Sequence, residues 1–433
     1  MRLMANCRFD YLIVGNSTAA VGAIEAIRSR DRSASIGVVA AETEHAYSRP
    51  LITYYMCGKV AESNIFYRPP DFYKEANVTC ILGVKAESVS TEGQFITIST
   101  GETIEYDKLL LAAGGAPIAP PIPGIERPGV FFMNTLEDAR RAKGWLSHMK
   151  RAVVVGAGLT GLKTAEALVE MGQEVMVVEL ADRVLATTLD RTASEIVKQV
   201  FVDHRGDVLT EAQVLSFNGY EESNDLWTVT ISTGESIACD TAFVTIGIRP
   251  RTELVRDTPI KTGRGILVDR HMRTNVENVY AAGDIAEAYD PLIGGTRLIP
   301  ILPNAYIGGR VAGMNMSGTN AEYNLGMSVN SVNFFGLPVM SAGFAAQEEG
   351  DGFSVLTKLD GTNYRKIVIK DGKLVGIILV GNINSAGLMT GIMRAGIDVT
   401  DLEEKLLDGN LGLIDLPRDV IEERIHGTGR NWL

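Results

Sequence analysis

"VVVGAGLTGLKTAEAL", residues 153–168, reads as an apolar β-branched strand, a glycine turn and an alanine-rich helix. Each glycine in it has a separate task. Gly156 permits the tight turn, Gly158 lets a pyrophosphate approach the backbone, and Gly161 lets the helix pack close to the strand. The helix N-terminus then offers unpaired N–H groups and a positive dipole end to phosphates. A further strand, "EVMVVE" (174–179), closes on Glu179, from where an acid accepts the adenosine ribose hydroxyls. A carboxylate there repels a 2′-phosphate, so NADH is expected in preference to NADPH.

An earlier stretch, "YLIVGNSTAAVGAIEAI" (11–27), repeats this outline with its glycines partly replaced. Gly15 keeps the turn, while Ser17 and Ala20 are small substitutes. The next strand, "IGVVA" (36–40), leads to Glu42, a candidate ribose acceptor a little later than the usual slot. Further on, "TNVENVYAAGDIAEAYD" (274–290) sets a short apolar strand ahead of Gly283-Asp284. Asp284 at that strand end is an acceptor for a polyol. The stretch "ILPNAYIGGRVAGMNMSG" (301–318) has helical spacing from about Pro303 and aims its N-terminus at whatever Asp284 holds. Two such units in one chain predict two nucleotide-binding sites.

Composition narrows the classes. A chain of 433 residues is too long for one core and should split into two or three domains. The net charge of −12 disfavours nucleic-acid binding, since phosphate contacts need a Lys/Arg surplus. No apolar run approaches the roughly 18 to 20 residues of a membrane span. The start, MRLMANCRFD, leaves no room for a signal peptide, so the cytoplasm is expected. The four cysteines form no C-x-x-C pair and the five histidines no cluster, which argues against a metal or iron–sulfur site within the chain.

Together with "LLLAAGGAP" (109–117) and "VTIGIRP" (244–250), these stretches resemble, in order and spacing, the flavoproteins of the pyridine nucleotide–disulfide oxidoreductase superfamily. The resemblance implies FAD at the first turn and the Gly-Asp motif, and NAD(H) at the central turn. Carried over by position, it implies an FAD site of Gly15, Ser17, Ala20, Glu42, Arg49, Ala113, Gly114, Gly283 and Asp284. Asp284 would hold the ribityl chain, with Asn304 and Ala305 near the pyrimidine edge of the flavin. Gly156, Gly158, Gly161, Glu179 and Gly247 would form the NAD(H) site.

The stretch "AYSRPLITYYMCGK" (46–59) resembles the Tyr-x-Arg/Lys-Pro-x-Leu-Ser pattern of the branch without a redox-active cysteine. That branch comprises ferredoxin and rubredoxin reductases and the flavoprotein part of assimilatory nitrite reductase. By this alignment Pro50 occupies the cysteine's slot, and Cys57 follows about two helical turns later. Tyr54 stands where those enzymes often carry a lysine near flavin N5, and Lys163 where they carry a glutamate facing the nicotinamide. One reading is that Lys163 supplies the cation that stabilises anionic reduced flavin, while Tyr54 stacks or donates a hydrogen bond. The other is that Lys163 turns to solvent and the pair is lost. Lys163, Tyr54 and Pro50 are the catalytic candidates.

The expected fold is α/β: two Rossmann-like dinucleotide-binding domains, with the NAD domain inserted into the FAD domain, and a C-terminal α+β interface domain. The FAD domain is expected over 1–117 and 246–325, the NAD(H) domain over 118–245 and the C-terminal domain over 326–433. The proline-rich "APIAPPIPGIERPG" (116–129) is the first crossing between domains. The resemblance implies an FAD-dependent NADH:acceptor oxidoreductase exchanging electrons with rubredoxin, ferredoxin or an iron–sulfur partner subunit. Homodimerisation through the C-terminal domain is a further option. Alternatives are an NAD-coupling subunit of a 2-oxoacid (phenylglyoxylate-type) oxidoreductase, a CoA-disulfide reductase or NADH oxidase using Cys57, and a flavoprotein redox sensor.

Overall fold

The computed structural model describes residues 7–220, 224–418 and 420–422. The ends of the expected first and last domains, 1–6 and 423–433, lie outside the described residues. Four helices carry the argument: α1 (Thr18–Arg28), α2 (Leu159–Glu170), α3 (Arg191–Asp203) and α4 (Leu302–Met316). The chain divides into two units. One holds the described residues up to Ile118 with Asn134–Ala139 and Ile248–Met327; the other holds Ala119–Met133, Arg140–Gly247 and the described residues from Ser328.

In the first unit, Cys7–Val14 lies between Ile36–Ala40 and Thr103–Leu111, all parallel, with Val78–Leu82 beyond Ile36–Ala40. Val279–Ala281 pairs in parallel with Thr103–Leu111 and brings the Gly-Asp segment to the same sheet. These strands are apolar because they are covered on both faces: Leu12, Ile13, Leu109, Leu110 and Leu111 have no exposed surface. α1 packs against α4 so closely that a Cβ at Gly309 would overlap the Ala19 carbonyl. The contact joins the helix that follows the first turn to the helix that follows the Gly-Asp motif.

The second unit repeats the plan. Five parallel strands run in the order Gly206–Leu209, Glu174–Val178, Arg151–Val155, Thr241–Val244, Val130–Phe132. A three-stranded antiparallel sheet, 214–238, packs its Val214, Phe217, Val229 and Ile231 into the same core. The residues from Ser328 group with this unit. They form a five-stranded antiparallel sheet in the order Val329–Phe334, Leu337–Gly343, Lys373–Val380, Asn363–Lys370, Phe353–Asp360. Asp371 and Gly372, both with positive φ (51° and 69°), make a two-residue turn between Asn363–Lys370 and Lys373–Val380. A further helix spans Leu136–Trp145, and its first turn groups with the first unit.

Candidate nucleotide-binding sites

The first loop is built around Gly15. Its φ is 114°, its N–H donates to the Val39 carbonyl at 2.8 Å, and a Cβ would overlap the Ala112 carbonyl. Only glycine fits. Ser17 follows as the N-cap of α1 in extended backbone, and its hydroxyl makes no capping bond. Ala20, in the first turn of α1, is fully buried. On the neighbouring strand end, Ala113 leads to Gly114 (φ 66°), around which no atom would meet an added Cβ within 4 Å.

Gly283 brings Asp284 to this place. A Cβ on Gly283 would stand 3.4 Å from Ala19 and 3.6 Å from Ala305, so the Gly-Asp turn lies against the first turns of both α1 and α4. Among the described residues no hydrogen-bond donor is paired with the Asp284 carboxylate, and Arg49 is its charged neighbour. Burial pushes that carboxyl above the ordinary range, and Arg49 pulls it part of the way back. Asn304 is buried, with Nδ2 donating to the Met327 carbonyl at 3.1 Å.

Arg49 also pairs with Glu42 at 2.5 Å and donates to the Asn134 carbonyl at 2.5 Å. Tyr47 donates its hydroxyl to the other Glu42 oxygen at 2.5 Å and accepts the Leu136 N–H at 2.9 Å. Burial raises the Tyr47 phenol well above its usual range, which keeps this donor protonated. Sequence reading missed Tyr47, although it heads the Tyr-x-Arg-Pro run. Pro50 is exposed and Tyr54 half-buried, on the short helical segments Arg49–Leu51 and Ile52–Met56. Cys57 ends this helix and donates its thiol to the Tyr54 carbonyl at 3.4 Å.

A diphosphate with a polyol fits this first loop. Two helix N-termini and a guanidinium supply positive potential, the glycine backbone leaves room, and a half-buried carboxylate lacks donors that hydroxyls provide.

In the second unit, Gly156 (φ 100°) donates to the Val178 carbonyl at 2.8 Å. Gly158 is the N-cap of α2, and an added Cβ there would meet nothing within 4 Å. At Gly161 a Cβ would overlap the Gly156 carbonyl and stand 2.7 Å from Thr245 Oγ1. Glu179 accepts from Ala157 N–H at 2.5 Å and Ala181 N–H at 2.8 Å, which holds its carboxylate over the loop. Gly247 has φ 110° on the segment after Thr245.

Lys163 has partners that neither reading of it foresees. Its Nζ pairs with Glu166 and donates to the Asn333 carbonyl at 2.9 Å. Glu166 also accepts the Phe335 N–H at 2.7 Å. The ammonium is therefore tied to α2 and to the turn between Val329–Phe334 and Leu337–Gly343, with only 17% of its side chain exposed.

Two glycine loops at strand ends, each followed by a helix and faced by an acid, define the class: a two-dinucleotide oxidoreductase. Residues 9–324 match the pyridine nucleotide-disulphide oxidoreductase family, and residues 329–397 the rubredoxin NAD+ reductase C-terminal domain. The chain is 33% identical over 408 residues to the NADH-dependent phenylglyoxylate dehydrogenase subunit epsilon of Aromatoleum evansii. That match covers 93% of this chain and 96% of that protein. It is 29% identical over 310 residues to the rubredoxin-NAD(+) reductase of Pseudomonas putida, covering 71% of this chain and 80% of that protein. The fold also matches a ferredoxin reductase from Rhodopseudomonas palustris with TM-score 0.85 and 23% identity, over 94% of this chain and 99% of that one. The chain belongs to the pyridine nucleotide-disulphide oxidoreductase family. It is an NAD(H)-dependent flavoprotein oxidoreductase that transfers electrons. No helix among the described residues is long and apolar enough to cross a membrane.

Proposed function

We propose that this chain is a cytoplasmic FAD-dependent NADH:acceptor oxidoreductase, without a cysteine relay, that exchanges electrons with an external protein carrier. The observation that carries the reading is the Asp284 carboxylate, half-buried and without a hydrogen-bond donor, on the Gly-Asp turn against the first turns of two helices and with Arg49 as its charged neighbour. Bound FAD would take two electrons from NADH and pass them on singly. Asp284 holds the ribityl hydroxyls, Arg49 and the α1 amides after Gly15 and Ser17 hold the diphosphate, and Glu42 takes the ribose. Ala113, Gly114, Gly283, Asn304 and Ala305 border the same site, with Ala20 packing beneath it.

In the second unit, Gly156, Gly158 and Gly161 seat the NADH diphosphate and Gly247 borders it. Glu179 accepts the ribose hydroxyls and disfavours the 2′-phosphate of NADPH. FAD thus belongs to 1–117 and 246–325, NADH to 118–245, and docking or homodimerisation to 326–433. Pro50 replaces the thiol beside the flavin and Tyr54 lies next to it, while the Lys163 ammonium is committed to Glu166 and the Asn333 carbonyl. In this reading the Cys57 thiol, which donates to the Tyr54 carbonyl, takes no part in electron transfer.

A second reading has support of its own: the likeness to subunit epsilon of a phenylglyoxylate dehydrogenase spans almost the whole of both chains. In that reading the chain couples an iron–sulfur partner subunit to NAD. One experiment separates the two. Purified chain that reduces free rubredoxin or ferredoxin with NADH supports the first reading, and an iron–sulfur subunit that co-purifies and is required for turnover supports the second. A long-lived NADH complex with negligible turnover towards either partner contradicts both and points to a sensor.

A further inference from the structure

Two charged side chains on α2 grip one β-turn of the C-terminal sheet. Glu166 is only 4% exposed, so its carboxylate depends on protein donors. One oxygen accepts the Phe335 N–H at 2.7 Å, and the other takes the Lys163 ammonium. Lys163 in turn donates to the Asn333 carbonyl at 2.9 Å. The turn is tight: Phe335 and Gly336 have φ of 48° and 89°, and the Gly336 N–H donates to Asn333 Oδ1 at 2.8 Å. The Phe335 ring stacks on His204, just past α3, with centroids 4.2 Å apart and planes 11° apart.

The order of the charges follows from the turn. A carbonyl at 333 needs a donor and an amide at 335 needs an acceptor. A cation in the first turns of a helix opposes its dipole, so Lys163 is not there for the stability of α2 alone. A second buried anchor holds the same sheet. Asp190 caps α3 through Ala193 N–H at 3.0 Å, accepts the Tyr364 hydroxyl at 2.6 Å and faces the 2%-exposed Lys366 at 3.3 Å. The C-terminal sheet is thus tied by charged side chains to α2 and α3.

We propose that Glu166 is a positioning residue for NADH: through Lys163 it locks the 333–336 turn onto α2 and fixes the helix whose first turn receives the diphosphate. This rests on the reading of the Gly156–Gly161 loop as the NADH site. The C-terminal domain then contributes to nucleotide affinity as well as to docking.

The test uses full-length, FAD-loaded protein and anaerobic stopped-flow reduction by NADH over a range of concentrations, which separates the dissociation constant from the limiting rate. Glu166→Ala is expected to weaken NADH binding about tenfold, the scale of one lost charge-assisted hydrogen bond. Its limiting rate stays within about twofold, its FAD content is unchanged, and hydrogen exchange at the Phe335 amide is faster. Glu166→Gln keeps one acceptor and falls between the two, and it serves if the alanine variant does not fold. Asp190→Asn loosens the other anchor. It lowers the melting temperature and leaves NADH affinity at the wild-type value, which a merely structural role for Glu166 would match.

The proposal is overturned if the Glu166 variants bind NADH as tightly as Asp190→Asn, if the whole loss falls on the limiting rate, or if the Phe335 amide keeps its protection. A wild-type protein whose flavin NADH does not reduce overturns the underlying reading of the loop, and this inference with it.

Discussion

The two glycine loops share one construction and differ in how they are finished. In both, the turn glycine donates at 2.8 Å to the last carbonyls of the next strand, Val39 for Gly15 and Val178 for Gly156. In both, a Cβ on that glycine would press on the carbonyl at the adjacent strand end, Ala112 in one and Thr245 in the other. By this pairing Ala112 answers to Thr245, and Ala113-Gly114 to Ile246-Gly247. The third position is where they part. Gly161 has no room for a methyl because the Gly156 carbonyl and the Thr245 hydroxyl fill the space. Ala20 carries a methyl that the first unit buries completely. The close approach in the first unit moves to Gly309 of α4. A degenerate fingerprint is therefore a complete loop with its tight contact placed elsewhere.

The largest effect is expected at that third position. Gly161→Ala should cost about 2 to 3 kcal/mol by overpacking, lowering NADH-driven flavin reduction while FAD stays bound. Ala20→Gly should cost only about 1 kcal/mol of stability. Thr245→Ala should restore part of the loss in Gly161→Ala; equal costs at positions 161 and 20 in thermal melts would break the comparison. Next comes Asp284→Asn, expected to weaken FAD binding by about tenfold to a hundredfold, the range of a hydrogen bond to a charged group. FAD titration of the stripped protein measures it.

The same substitution has a pH signature. The folded Asp284 carboxyl lies above its unfolded value, so the FAD-free folded chain binds more protons there than the unfolded chain. Its contribution favours folding at low pH and is lost as pH rises through the folded value. FAD-free Asp284→Asn should therefore gain melting temperature over the wild type as pH rises from below the carboxylate range to neutrality. A gap that is flat with pH would remove the desolvation argument.

Smaller again, Tyr47→Phe removes one donor from Glu42 and one acceptor from Leu136, about 1 kcal/mol, read as a few-fold loss of FAD affinity. Smallest is Glu179→Ala, expected to narrow the preference for NADH over NADPH by several-fold, about 1 kcal/mol, in steady-state kinetics.

Both loops, the Gly-Asp strand end and the helix after Pro303 were legible because each is a local pattern within some twenty residues. Glu42 was legible as an acid, but the onward tie of its partner Tyr47 to Leu136, 89 positions away, was not. Lys163 shows the limit most sharply. Its spacing to Glu166 stands in the sequence and would have identified an i,i+3 pair on one helix face. The carbonyl it also holds lies 170 residues away, on a turn that only tertiary packing delivers. The grouping of the C-terminal sheet with the inserted segment is likewise written in long-range contacts, Asp190 to Tyr364 among them.

The most direct test is an absorbance spectrum of the purified chain, reconstituted with FAD and titrated anaerobically with NADH, beside Cys57→Ser. The account predicts one FAD per chain and bleaching by one equivalent of NADH, identical in both proteins. A colourless chain that takes up no FAD, or a flavin that Cys57→Ser leaves oxidised, would contradict it.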